Sequence, residues 1–270
     1  SLFCKKNKNN NDYFFNIFGD EQKVNSELKK YNILEKYFRI FHTETTVSDN
    51  ETPLTAVKTS KNSSMWNCVY SQVKSESDIS LSAGNTGVLL VISRMILKTI
   101  NGVSKPALAG LWPNNTGMNI VLDLGANIEC DEKNLTDFAS MGTSLFKSLF
   151  DVENPKVALL NIGLEENKGS DVLKKTYSIL KNDNVKNFDF FGYIEGNHIM
   201  DGDADVIVTD GFTGNIALKT AEGTANFITK NLKQALNKLS VILSYRSLNK
   251  FRDKLDPRKY NGAIFLGLNG

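Results

Sequence analysis

Five short segments gather residue types that can handle an anion: 82–87 (SAGNTG), 123–127 (DLGAN), 161–163 (NIG), 195–197 (EGN) and 210–215 (DGFTGN). Glycine lets the main chain approach a ligand closely, and Ser, Asn and Thr offer short neutral donors and acceptors. Two of the segments lead into helical patterns, at Thr86 and Gly214. A helix start presents N–H groups and the positive end of the helix dipole, which suits phosphate. Taken singly, each segment has a plainer explanation as a Gly/Asn turn or as an N-cap. Taken jointly, behind successive strands, they point to a ligand-binding edge that draws on Ser82, Asn85, Thr86, Asp123, Asn127, Glu195, Asp210 and Thr213.

Two residues stand out for chemistry. Lys168 follows Gly163–Glu166 and precedes Gly169 at the start of a helical pattern. A cation there can hold a phosphate or steady an oxyanion; the alternative is a solvated lysine paired with Glu165 or Glu166. Asn215, behind a glycine at a helix start, can donate an amide hydrogen bond to a developing oxyanion, or serve simply as a polar residue of the first turn. The chain has two histidines. His42 falls in a strand-like run and reads as structural, while His198 stands beside the Glu195 turn and can touch either a ligand or solvent.

Missing signatures narrow the chemistry. No GxGxxG follows a strand, and neither a Walker A loop nor a GxSxG elbow is present. Cys4, Cys68 and Cys130 are far apart and show no metal-type spacing. The expectation is therefore no metal, no cofactor and no disulfide framework, in a reducing compartment.

An open, doubly wound sheet is the framework that places such turns together, because ligands bind beyond the carboxyl ends of its strands. Strand-like runs at 13–18, 38–42, 107–111, 119–122, 157–162, 188–194 and 206–208 alternate with helical patterns at 21–31, 54–74, 86–100, 135–150, 172–180 and 214–239. A short apolar run at 79–81 and a last one at 263–268 complete the pattern. Segment 157–162 (VALLNI) is continuously apolar, as in a strand buried on both faces. The alternation predicts an α/β fold with a largely parallel sheet. No repeat or linker interrupts it, so residues 1–270 read as a single domain.

Composition agrees with this class. The 270 residues carry 32 Lys+Arg and 30 Asp+Glu, a net charge of +2, and 41% are hydrophobic. Disorder as the main state is excluded. The 27 lysines against 5 arginines, at near-neutral charge, argue against a nucleic-acid binder. The one low-complexity patch is 5–11 (KKNKNNN), and the longest apolar segment, 87–100, is broken by Arg94 and Lys98 well short of a membrane span.

Several of these segments, taken in order, resemble the PlsX family, the phosphate acyltransferases of bacterial phospholipid synthesis. They are 82–87 (SAGNTG), 105–109 (KPALA), 122–127 (LDLGAN), 138–142 (FASMG), 159–169 (LLNIGLEENKG), 192–196 (GYIEG) and 205–223 (DVIVTDGFTGNIALKTAEG). The likeness runs from about residue 14 to residue 270.

The resemblance implies a three-layer α/β/α sandwich similar to the isopropylmalate dehydrogenase and phosphotransacetylase folds. It implies transfer of a fatty acyl group from acyl-[acyl-carrier-protein] to inorganic phosphate, giving acyl phosphate for a downstream glycerol-3-phosphate acyltransferase. By motif, Lys168 and Asn215 are the catalytic pair. The family also implies a homodimer in the cytoplasm, attached peripherally to the membrane through a helical hairpin that maps to about 231–252. There an apolar cluster (Leu236, Leu239, Val241, Ile242, Leu243, Tyr245) is flanked by Lys233, Lys238, Arg246 and Lys250. Such a wedge suits an anionic lipid surface, although a core-facing helix end has the same pattern. The family pattern has a further strand before residue 1 and a strand and helix after residue 270, so these residues read as a portion of such a chain. The competing readings are a phosphotransacetylase-like enzyme acting on acyl-CoA and a non-catalytic membrane-docking partner of lipid enzymes. A dehydrogenase of similar fold is disfavoured by the missing nucleotide fingerprint.

Overall fold

The computed structural model describes residues 13–31, 35–48, 50–182, 187–235 and 262–270. Its contacts divide the chain into two compact units, Ser1–Ile100 with Leu268–Gly270, and Asn101–Gly267.

In the first unit, strand β1 (Phe15–Gly19) pairs in parallel with β2 (Phe38–His42). Between them α1 (Glu21–Lys30) starts at Asp20, whose carboxylate accepts from the Lys23 N–H at 3.0 Å. Helices α2 (Pro53–Thr59), α3 (Ser64–Val73) and α4 (Thr86–Leu97) bury Ala56, Met65, Val69, Val88 and Ile92 against one another. The sequence pattern predicts one helical stretch over 54–74, whereas the structure has two helices. The break follows Asn62, whose φ of +68° no helix accommodates, and Ser63, whose hydroxyl caps α3 by accepting from the Trp66 N–H. Both helices face the same core, so the apolar spacing runs through the break unchanged. The run at 79–81 forms no strand, and Ile79 and Leu81 are exposed.

The second unit is built on a six-stranded sheet. Its strands are β3 (Ala107–Pro113), β4 (Met118–Leu122), β5 (Lys156–Asn161), β6 (Asp189–Glu195), β7 (Val206–Val208) and β8 (Ala263–Leu266), in the order β6-β5-β7-β4-β3-β8. The four strands β6, β5, β7 and β4 are mutually parallel, and β3 and β8 add on antiparallel at one side.

Alternation along the strands feeds two cores. Ile120, Leu122, Val157, Leu159, Val206 and Val208 face α5 (Glu132–Phe150) and α6 (Asp171–Asn182), which contribute Leu135, Phe138, Ala139, Phe146 and Leu180. Val121, Ala158, Leu160, Ile194 and Ile207 face the other way, towards Ala217, Leu218 and Ala221 of α7 (Gly211–Ala235). Helices cover both faces, so the unit is an α/β/α sandwich. On α5, Gly142 permits close contact, since a Cβ there would stand 2.6 Å from Val206 Cγ1 and 2.9 Å from Leu122 Cδ2. The predicted membrane hairpin lies mostly outside the described residues; α7 is described to Ala235. Among the described residues, no helix is long and apolar enough to cross a membrane.

Candidate active site

Because β4, β5, β6 and β7 are parallel, their carboxyl ends share one edge of the sheet. Along that edge follow the Glu195 turn after β6, the 161–169 loop after β5, the Asp210 turn after β7 and the 123–127 turn after β4. Strands in a sheet lie about 4.8 Å apart, so the ends of β5 and β4, on either side of β7, are roughly 10 Å apart.

Asp123 is fully buried. One carboxylate oxygen accepts the N–H groups of Leu108 (3.0 Å), Gly125 (3.1 Å) and Ala126 (2.9 Å). The other accepts the Asn127 N–H and side-chain amide, each at 2.8 Å. The Asn127 amide also donates to the Pro106 carbonyl at 2.7 Å. Both side chains are thus committed to shaping the turn. The sequence points to both as substrate contacts; here their polar atoms bond within the turn and to the neighbouring main chain.

Helix α7 is locked onto the same turn. The Gly211 N–H donates to the Asn127 carbonyl at 2.8 Å, and a Cβ on Gly214 would overlap the Asp123 carbonyl oxygen. Asp210 caps the helix by accepting from the Thr213 N–H (2.8 Å) and hydroxyl (2.9 Å). The helix therefore begins at Gly211, three residues before the glycine from which the sequence pattern starts it, and several of its first amides are already engaged. Asn215 stands one turn in, exposed, with its side chain over Gly125. The φ of Gly125 is +132°, a main-chain conformation that glycine adopts without strain.

Lys168 belongs to a loop of different character. Its ammonium lies 3.2 Å from Glu165 Oε1, and both side chains are exposed. Its stem crosses Gly163, where a Cβ would come within 2.7 Å of Lys168 Cδ. A main-chain hydrogen bond within the residue, reinforced by the Lys168 ammonium, holds the Glu165 carboxyl below its ordinary range. Glu166 turns outward and accepts from Lys181 at 2.7 Å and from the Tyr177 hydroxyl at 2.9 Å, tying the loop to α6.

Underneath is Asn161, the buried first residue of the 161–163 segment, which the sequence offers as part of a turn with no individual role. Its amide nitrogen donates to the carbonyls of Gly163 (3.1 Å) and Lys168 (3.2 Å). The available signal was a polar residue closing an otherwise apolar strand.

The remaining candidates are placed less centrally. Glu195 is half-buried at the end of β6 and caps the following turn with no side-chain bond. His198 is held by Asp201 at 2.7 Å. It lies in the segment that returns the chain to the opposite edge, where Asn119 of β4 donates to the Ile199 carbonyl. With Asp201 and Asp203, His198 forms the one grouping of metal-type ligands among the described residues, within 4.8 Å. Ser82, Asn85 and Thr86 belong to the first unit. There Asn85 caps α4 through the Val88 N–H (3.1 Å) and donates to the Glu51 carbonyl (3.0 Å), Ser82 accepts from the Gly84 N–H, and Thr86 is exposed at the first helical position.

An exposed lysine and an exposed amide thus stand at the carboxyl edge of an α/β sandwich, the edge at which open sheets of this kind take ligands. Comparisons with known proteins give the family. Residues 3–270 match the family model described as Fatty acid synthesis protein. A phosphate acyltransferase of Pelagibacter ubique is 54% identical over 267 residues, covering 97% of this chain and 80% of that protein. Phosphate acyltransferases of Rhodopseudomonas palustris and Agrobacterium fabrum are 43% and 40% identical, covering 96% and 99% of this chain and 75% and 77% of theirs. Two solved structures share the fold. A phosphotransacetylase of Streptococcus pyogenes has a TM-score of 0.56 at 18% identity, covering 77% of this chain and 72% of that one. The EutD phosphotransacetylase of Staphylococcus aureus has a TM-score of 0.53 at 21% identity, covering 77% and 73%. The chain belongs to the PlsX family of phosphate acyltransferases, enzymes of fatty acid and lipid synthesis.

Proposed function

We propose that this protein transfers a fatty acyl group from an acyl-[acyl-carrier-protein] thioester to inorganic phosphate. A phosphate oxygen attacks the thioester carbonyl, the tetrahedral intermediate collapses, and the thiolate of the carrier's pantetheine arm leaves, giving acyl phosphate. Phosphate is itself a nucleophile near neutral pH, so the protein need not form a covalent intermediate. It must bring two anionic partners together and stabilise the oxyanion.

Lys168 takes the first task. Its pairing with exposed Glu165 is weak in water, so a phosphate dianion can displace that partner. Asn215, on a helix fixed to the 123–127 turn, takes the second. The observation that carries the reading is the placement of both groups on the shared carboxyl edge, in a chain 54% identical to a protein named phosphate acyltransferase.

In this proposal residues 1–270 work as one domain, in a cytoplasmic homodimer that touches the membrane surface, and the acyl phosphate passes to a glycerol-3-phosphate acyltransferase. The deciding assay is phosphate-dependent formation of acyl phosphate from an acyl-carrier-protein thioester. Lys168→Ala is expected to lower turnover by about 10²-fold or more at unchanged melting temperature. Wild-type turnover in that variant rejects the assignment, and activity confined to acyl-CoA favours the phosphotransacetylase-like alternative.

A further inference from the structure

We infer that Asn161 is a positioning residue for Lys168, a role that rests on the acyl-transfer reading above. Its amide nitrogen is shared between the carbonyls of Gly163 and Lys168, the two ends of the loop, and so closes that loop into a ring. Because both partners are carbonyls, the amide orientation is fixed: nitrogen must face the loop.

The oxygen is buried and has no hydrogen-bond partner among the described residues. A buried, unpartnered acceptor is costly, and an apolar side chain of similar shape would remove that cost. The neighbouring Gly169 has a φ of +92°, and any Cβ there would overlap the Asn161 amide oxygen. Against that cost stand the amide's two bonds to the loop, which an apolar side chain would forgo. What the amide provides is a fixed course for the main chain that carries Lys168, while the lysine side chain itself stays exposed and exchangeable.

Asn161→Leu keeps the branched side-chain skeleton and removes both donors. Its expected effect is a fall in kcat of about 10²-fold, the scale for a charged group displaced by about an ångström, with the KM for the acyl-carrier-protein thioester unchanged. The decisive measurement is a double-mutant cycle with Lys168→Ala. If Asn161 acts through Lys168, the double variant is no slower than Lys168→Ala alone. Losses that multiply, or wild-type turnover in Asn161→Leu, overturn the role. Asn161→Ser, which keeps a single donor, is the second variant should the leucine protein not fold; it is expected to fall between wild type and Lys168→Ala, and the same cycle decides it. Failure of the underlying reading is distinguishable, since Lys168→Ala by itself would then retain full activity.

Discussion

The 123–127 turn and the 161–169 loop stand on either side of β7 and handle their charges in opposite ways. Asp123 is buried and meets five hydrogen-bond donors, whereas Lys168 is exposed and leans on a single exposed glutamate. A saturated charge is scaffold, because nothing is left over to meet a substrate. A loosely held charge on a firmly held loop is available for chemistry. Asn215 bridges the two: its helix is welded to the turn, and its own amide is exposed.

The largest expected effect tests the scaffold. Asp123→Ala strands four main-chain N–H groups and one amide, and should cost about 3–5 kcal/mol in denaturant unfolding. A loss under about 1 kcal/mol would put Asp123 on the chemical side of the comparison. Next in size, Asn215→Ala should slow acyl phosphate formation by about 10²-fold, the usual scale for one oxyanion donor, without altering the unfolding midpoint. A loss of stability like that of Asp123→Ala would instead assign Asn215 to the scaffold.

The smallest effect is a titration. Burial, and after it the Asp123 carboxylate, pushes the half-buried Cys130 thiol up to about 11 from an ordinary 9.0. The folded state therefore prefers the protonated thiol. Its contribution to stability is complete below pH 9.0 and is lost as pH rises towards about 11. Cys130 is expected to resist iodoacetamide at pH 8, read by mass spectrometry of the folded protein. Rapid alkylation there would mean that the turn is more open, and its charge better solvated, than the comparison requires.

Much of this framework is legible in the sequence, for identifiable reasons. Strand β5 shows itself as a continuous apolar run because its residues alternate between two buried cores rather than between core and water. The carboxyl-edge turns show themselves through Gly and Asn because main-chain geometry and close approach admit few other residues. What stays hidden depends on partners distant in sequence. Asp123 looks like a ligand contact until the N–H of Leu108, fifteen residues earlier, is seen to share its oxygen. The antiparallel placement of β3 and β8 is likewise a matter of pairing that no local pattern carries. Asn161 appears as one letter of a turn, because an amide bridging two carbonyls exists only once the loop has closed.

Gly214 has a consequence for how this chain can change over time. Where its α-hydrogen meets the Asp123 carbonyl there is no room even for the methyl group of alanine. The chain is rich in lysine and asparagine, with 27 and 31 of them. Whatever pressure spread those residues through its loops and helices meets a hard stop here. This position of α7 is closed to every side chain, and the amide at the next position inherits a fixed address.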